Sequence, residues 1–327
     1  MFFSLDPETA HNLALNLVRL AGALPPTRWL LEALFSPCEK PVEAFGLRFK
    51  NPLGLAAGYD KDGIAIRGLS ALGFGHIEIG TVTPLPQPGN PKPRIFRLVQ
   101  DEAVINRMGF PGAGMESVRT SLLATPRGDA LIGVNLGKNR DTPLEEAAAD
   151  YIPLVRTFAS LVDYLVVNVS SPNTLGLRRL QGRAMLESLL GQVNVERRES
   201  RAPCPVLVKL APDLTDTQLN DALDVILSAG MDGVIATNTS LQREGLRSME
   251  REQAGGLSGR PIAARSEAML EKIVKRLGGR VPVISVGGIM SPEDARRRLD
   301  KGATLVQVYT GLIYRGPGLV KSILRSL

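Results

Sequence analysis

Short β-branched runs alternate with amphipathic stretches along most of the chain. The runs fall at 52–58, 76–83, 130–137, 164–170, 205–212, 233–238, 281–288 and 303–311, and helical periodicity occupies 64–72, 144–161, 183–195, 216–228, 262–277 and 292–301. Such alternation marks βαβ units and a parallel sheet. Eight runs fit a closed (β/α)8 barrel, an α/β fold of the TIM type, better than an open doubly wound sheet. Between the second and third runs, residues 94–108 hold two apolar stretches around Gln100, Asp101 and Glu102, which reads as a hairpin laid over one barrel end.

Residues 1–40 stand outside this pattern. Asp6 followed by Pro7 is an N-cap with proline at the first helical position. Leu13, Leu17, Leu20 and Leu24 then recur at helical spacing. Pro25 and Pro26 are expected to end that helix, and a second begins near Thr27 with Trp29, Leu30, Leu34 and Phe35. The expected organisation is a helical hairpin over 1–40 and a barrel over 41–327. The hairpin's apolar faces either pack on the barrel wall or offer a surface to lipid or a hydrophobic ligand. No apolar run approaches the roughly 18 residues of a spanning helix, and the first residues lack the basic region of a signal peptide.

Composition narrows the chemistry. The chain is 44% hydrophobic and 22% charged, ordinary for a cored protein of 327 residues. Its net charge of +6 admits nucleic acid, anionic membrane or anionic small molecules as partners. The basic residues are dispersed and not interleaved with aromatics, so no nucleic acid is expected. Cys38 and Cys204 form neither a metal pattern nor a disulfide framework and are expected to be structural, in a reducing compartment. With only His11 and His76 as imidazoles, a zinc site or a Ser-His-Asp triad has too few ligands, and no metal is expected.

In a parallel barrel the site forms where the strands' C-terminal ends meet. Those ends deliver Ala57, Gly58, Tyr59, Asp60 and Lys61, then Thr81, Asn135, Asn168 and Lys209. They also deliver Thr237, Asn238 and Thr239, then Gly287 and Gly288, and finally Tyr309, Thr310 and Gly311. The insertion adds Asn106, Arg107, Met108, Gly109 and Phe110. The stretch NVSSPN at 168–173 reads in two ways. It is either a polar strand-to-helix turn, or a site whose amides read a planar ligand while the Ser171 hydroxyl exchanges a proton. Asparagines, lysines and threonines without a carboxylate cluster suit a neutral-to-anionic planar ligand, not hydrolysis by paired acids. Glycines at 255–259, 287–288 and 311 supply a phosphate cradle. With Lys209 to stabilise a reduced ring, they suggest flavin mononucleotide. The other reading of Lys209 is a barrel-mouth salt bridge.

The motifs NPLGLAAGYDKDG at 51–63, EIGTVTP at 78–84, NRMGF at 106–110, NVSSPN at 168–173, VKLAPD at 208–213, ATNT at 236–239, GGLSGRP at 255–261 and VGGI at 286–289 stand in this order. The series resembles the dihydroorotate dehydrogenases, from residue 5 to the C-terminus. It is similar to their class 2, quinone-linked branch, which carries a serine where class 1 enzymes have cysteine and has an N-terminal helical extension. Tyr59 departs from the pattern, since many relatives carry leucine there.

The resemblance implies that flavin mononucleotide (FMN) takes a hydride from C6 of (S)-dihydroorotate while Ser171 removes the C5 proton, giving orotate in pyrimidine biosynthesis. Thr174 and a water would form the relay. Lys61 matches the carboxylate partner, and Asn106, Asn168, Asn173 and Asn238 match the amides that read the ring, beside Arg107, Met108, Gly109, Phe110 and Thr239. Flavin contacts carry over to Ala57, Gly58, Tyr59, Asp60, Lys61, Thr81, Asn135, Asn168, Lys209 and Thr237, with Gly259, Gly288, Tyr309 and Thr310 mainly around the phosphate. A quinone is expected to enter under the N-terminal helices, past Leu13, Leu17, Trp29 and Leu30, with its head near His11, Arg97 and Tyr309. The implied protein is a monomer, peripheral on the cytoplasmic side of the inner membrane. Three other classes fit less well. A tRNA dihydrouridine synthase needs a cysteine acid at the barrel mouth and an RNA-binding appendage. A 2-hydroxyacid oxidase needs a catalytic histidine, whereas His76 opens its run at the opposite end and His11 lies outside the barrel. A non-catalytic phosphate-binding barrel would hold no flavin.

Overall fold

The computed structural model describes residues 2–35, 39–200 and 204–327. Two short strands, β1 (Val42–Ala44) and β2 (Leu47–Phe49), pair antiparallel ahead of the barrel. After them come β3 (Leu53–Leu55) and β4 (His76–Val82), the hairpin β5 (Ile95–Leu98) and β6 (Ala103–Asn106), then β7 (Leu131–Leu136), β8 (Tyr164–Asn168), β9 (Val206–Leu210) and β10 (Gly233–Ala236). The last three are β11 (Gly256–Gly259), β12 (Val283–Val286) and β13 (Leu305–Val308). Strands β3, β4, β7, β8, β9, β10, β12 and β13 follow one another in parallel, and β13 pairs back onto β3, so the barrel is closed. Each of the eight expected runs forms one of these strands.

The helices are α1 (Pro7–Ala23), α2 (Pro25–Phe35), α3 (Ile66–Ala71), α4 (Met115–Ala124), α5 (Ala148–Phe158), α6 (Arg183–Glu199), α7 (Asp216–Ser228), α8 (Ala263–Leu277), α9 (Pro292–Asp300), α10 (Thr310–Arg315) and α11 (Gly318–Ser326). Local chemistry sets their starts. Asp6 accepts from the Thr9 N–H at α1, Thr215 and Gln218 form a reciprocal capping box at α7, and Ser291 caps α9 ahead of Pro292. Helix α1 ends at Ala23, just ahead of Pro25 and Pro26 as expected, and α2 begins at Pro25 itself, earlier than the expected start near Thr27. Proline has no N–H to leave unpaired in a first turn, and the Thr27 hydroxyl donates to the carbonyls of Ala21 and Leu24 where α1 ends. The stretch 144–161 divides into a 3-10 turn, Leu144–Glu146, and α5. The hairpin at 94–108 is present but gains a third strand, because β11 pairs antiparallel with β6.

One core lies between barrel and helices and another fills the barrel. The inner core joins Tyr164, Val166, Leu207, Ile235 and Ile284 to Ala44 and Phe49, so the β1–β2 hairpin plugs the end opposite the strands' C-termini. Two rings occupy space that neighbouring strands leave empty: a Cβ on Gly54 would lie 2.0 Å from His76 Nε2, and one on Gly133 2.2 Å from Tyr164 Cζ. Cys204 is buried, its thiol pushed up to about 12 by burial, as suits a structural residue. Cys38 lies outside the described residues.

Helix α1 rests on α3 backbone to backbone. A Cβ on Gly22 would meet the Gly68 nitrogen at 2.2 Å, and one on Gly68 the Val18 carbonyl oxygen at 2.0 Å. The start of α1 is tied down by Glu8, whose Oε1 lies 2.7 Å from Arg94 Nη2. Ala10 and Leu15 are buried, and Leu31 and Phe35 pack on the core. Leu17, Leu20, Leu30 and Trp29 stay exposed, the last at 63%. The hairpin therefore both packs on the barrel wall and carries an uncovered apolar face. Among the described residues no helix is long and apolar enough to cross a membrane.

Gly68→Ala is expected to cost about 1–3 kcal/mol, the usual penalty of overpacking a close contact. Guanidinium unfolding should show the loss, and trypsin should cut faster at Arg19 as α1 lifts from α3.

Candidate active site

A cleft opens at the C-terminal ends of the strands. Of the residues expected there, Ala57, Gly58, Lys61, Thr81, Asn106, Met108, Gly109, Phe110, Asn168 and Ser171 line it. So do Asn173, Lys209, Thr237, Asn238, Thr239, Gly259, Gly288, Tyr309 and Thr310. Tyr59, Asp60, Arg107, Asn135, His11 and Arg97 lie outside its wall.

The floor of the cleft is a buried polar layer inside the barrel. Glu78 from β4 accepts from Asn135 Nδ2 at 2.6 Å, from Lys209 Nζ at 3.2 Å and from Gln307 Nε2 at 2.8 Å. Lys209 thus satisfies both of its readings: it is in a salt bridge, and it faces the cleft. Asn135 sits behind Thr81 and Asn168. Its Oδ1 accepts from the Thr81 hydroxyl at 2.5 Å and from Asn168 Nδ2 at 2.9 Å.

The NVSSPN loop is braced from beneath. The buried Tyr151 hydroxyl donates to the Asn168 carbonyl at 2.8 Å, and Asn168 Oδ1 accepts from the Ser170 N–H and hydroxyl. Asn238 Nδ2 donates to Ser170 Oγ at 3.0 Å, and Asn173 Nδ2 donates to Asn106 Oδ1 at 3.0 Å, joining loop to insertion. Ser171 Oγ accepts from the Asn173 N–H at 3.3 Å. Thr174 Oγ1 is buried without a partner, so its hydroxyl makes no direct bond to Ser171.

Two features mark the wall as built for a ligand. Lys61 makes no ion pair within 4 Å among the described residues, and burial lowers its pKa. Thr237 Oγ1 is buried, faces the cleft and has no hydrogen-bond partner. Buried polar groups are normally satisfied, so both await a polar ligand, and glycines at 259, 287 and 288 let backbone approach it. A flavin carrying a phosphate fits this donor set.

Beyond the wall the aromatic rings run in series. Tyr309 meets Tyr59 edge-on at 5.9 Å, and Tyr59 meets His11 at 5.0 Å, which reaches helix α1. Burial, with Lys61 nearby, pushes His11 down to about 4, so the imidazole is neutral near pH 7. Burial pushes the Tyr59 hydroxyl up to about 12. Arg97 sits elsewhere, its guanidinium 5.0 Å from the Phe3 ring and donating to the Leu5 carbonyl. Asp60 closes the loop before α3, accepting from the N–H groups of Ile64 and Ala65. Arg107 stacks on Phe96 at 4.6 Å and donates to Gln253.

The dihydroorotate dehydrogenase family model matches residues 41–327. This chain belongs to that family. A curated dihydroorotate dehydrogenase (quinone) from Anaeromyxobacter sp. (strain Fw109-5) is 48% identical over 98% of this chain and 88% of its own length. The enzyme of that name from Roseiflexus sp. (strain RS-1) is 46% identical over 100% of this chain and 91% of its own. Among solved structures, the ligand-free enzyme from Eimeria tenella matches with a TM-score of 0.89 at 40% identity, covering 98% of this chain and 94% of that one. Its complex with ferulenol matches at 0.88 and 39% identity, with coverages of 98% and 90%. The expected fold and the expected quinone-linked branch both hold.

Several residues of this family member's cleft escaped the sequence reading: Glu78 and Gln307 below, and Ser258, Ile262 and Val286 in the wall. Their signal is present, since Glu78 is the one carboxylate in the buried strand HIEIGTV and Gln307 the one polar residue in LVQV. Glu78→Gln leaves the Lys209 charge buried without a counter-charge, and losing one partner of a buried pair costs about 3–5 kcal/mol. Denaturant titration should show that loss, with partial recovery when Lys209→Met is added.

Proposed function

We propose that the cleft binds flavin mononucleotide, oxidises (S)-dihydroorotate to orotate, and passes the electrons to a membrane quinone. The carrying observation is the convergence of the unpaired Lys61, the amides of Asn106, Asn173 and Asn238, and the Ser171 hydroxyl on one cleft. Lys61 holds the substrate carboxylate. Asn173 donates to Asn106, which leaves the Asn106 NH2 group and the Asn173 Oδ1 free to read a ring of amide edges. Thr81, Asn168, Lys209 and Thr237 hold the flavin ring, Asn135 fixes two of them from behind, and Gly259, Gly288 and Thr310 flank the phosphate. When bound, the flavin supplies the hydride acceptor for the first half-reaction and the reductant for the second.

Ser171 receives the proton from C5. A hydroxyl is a weak base at pH 7, so its own proton must leave as the new one arrives. The unpartnered Thr174 hydroxyl, with a water, is the relay. The second half-reaction uses the opposite side, where His11, Tyr59 and Tyr309 lead toward α1. His11 is neutral there and adds no charge to desolvate as a quinone arrives. Residues 1–40 form the quinone-facing unit, with Arg97 at its outer edge. In this reading the exposed Leu17, Trp29 and Leu30 rest on lipid, and the protein is peripheral on the cytoplasmic side of the inner membrane. The proposed active unit is a single chain.

Anaerobic mixing of the yellow protein with dihydroorotate is expected to bleach it, and added soluble quinone to restore the colour. Ser171→Ala should slow bleaching at least about 100-fold, the range of a lost general base. A wild-type rate in that variant would overturn the base assignment.

Replacing Leu17, Trp29 and Leu30 together by serine should abolish co-flotation with phospholipid vesicles and raise the KM for a long-chain quinone. Bleaching by dihydroorotate should stay at the wild-type rate, and unchanged flotation would remove the lipid contact from this face.

A further inference from the structure

Arg298 lies on α9, outside the cleft, and its side chain is fully buried. Burial on that scale is rare for a guanidinium and requires that its donors be met. Nη2 donates to the Gly287 carbonyl at 3.0 Å and to the Ala263 carbonyl at 2.7 Å. Nη1 donates to Ser266 Oγ at 2.6 Å and to Ser285 Oγ at 3.3 Å, and the Ser266 hydroxyl donates in turn to the Gly287 carbonyl at 2.8 Å. Nε lies 3.4 Å from Glu267 Oε2, an ion-pair contact without a hydrogen bond, so it is the one donor left unmet.

Two donors therefore grip one carbonyl, and that carbonyl belongs to the peptide joining Gly287 to Gly288. In a trans peptide the C=O and the following N–H point in opposite directions. Holding the Gly287 oxygen against Arg298 turns the Gly288 N–H away from it. Gly288 lines the cleft, and among the described residues nothing accepts from its N–H. Its φ of +75° suits glycine, and a Cβ there would lie 2.4 Å from the Ala263 Cα. A cation on the carbonyl also polarises the peptide and makes its N–H a stronger donor.

We infer that Arg298 is a positioning residue for the phosphate end of the cofactor, acting through the Gly287–Gly288 peptide, whose N–H it fixes toward the anion. This rests on the flavin reading above. Arg298 does not line the cleft. Its contribution depends on the ligand carrying a phosphate, which separates it from a merely structural role.

The test is equilibrium dialysis of the full-length protein against FMN and against riboflavin, which shares the ring and lacks the phosphate. Wild type should prefer FMN. Arg298→Met should weaken FMN binding about 10- to 100-fold, as expected for a hydrogen bond to a charged group, with riboflavin affinity changed less than about threefold. Ser266→Ala, a milder change that removes the second grip, should lower the FMN-to-riboflavin preference in the same direction, and Arg298→Lys should fall between wild type and Arg298→Met. Equal weakening of both ligands, or an unchanged preference in Ser266→Ala and Arg298→Lys, overturns the inference. Wild-type protein that binds neither ligand overturns the flavin reading itself.

Discussion

The carboxylate of Glu78, held inside the closed barrel by Lys209, Asn135 and Gln307, is the constraint around which the site is arranged. Its partners come from β7, β9 and β13, so one side chain on β4 ties four of the eight strands together below the cleft. Buried opposite charges are costly unless their remaining hydrogen-bonding capacity is filled, and the two amides fill that of the Glu78 carboxylate. Asn135 then passes the arrangement upward to Thr81 and Asn168. The polar groups that face a ligand are held before it arrives, in a medium where each is worth more than in water.

The insertion between β4 and β7 connects what the barrel alone would leave apart. Arg94 grips Glu8 at the start of α1 and also donates to the carbonyls of Pro88 and Asn90. Asn90 Nδ2 donates to the carbonyls of Arg107 and Asn173, the second of these in the loop that carries Ser171. A few side chains thus hold the apolar helices and the substrate loop against one body. The lower part of α1 is fixed differently, by glycine on glycine against α3, where no side chain separates the backbones.

Much of this was legible in the sequence, for a physical reason. Period-two and period-3.6 patterns report which positions are buried, and in a parallel barrel the polar residues after each buried run must converge at one end. That is why most of the expected cleft residues meet. What failed was information carried by tertiary placement. Of the neighbouring Arg296, Arg297 and Arg298 only the third is buried, and nothing in their local sequence sets it apart. That glycines 256 and 259 belong to a strand follows only from the ladder that the distant β6 supplies. The second helix starts at Pro25, earlier than the Thr27 expected. The contact of His11 with Tyr59 depends on where α1 lies on the barrel, which no local pattern encodes.

The two inward rings of the barrel carry a consequence for how this chain can evolve. His76 and Tyr164 extend into volume that Gly54 and Gly133 vacate on the adjoining strands. Neither member of a pair can drift alone: a methyl at the glycine collides with the ring, and a small residue in place of the ring leaves a hole beside a strand with no side chain to fill it. Such positions change in tandem or not at all, so lineages that lost the ring should have gained bulk opposite it.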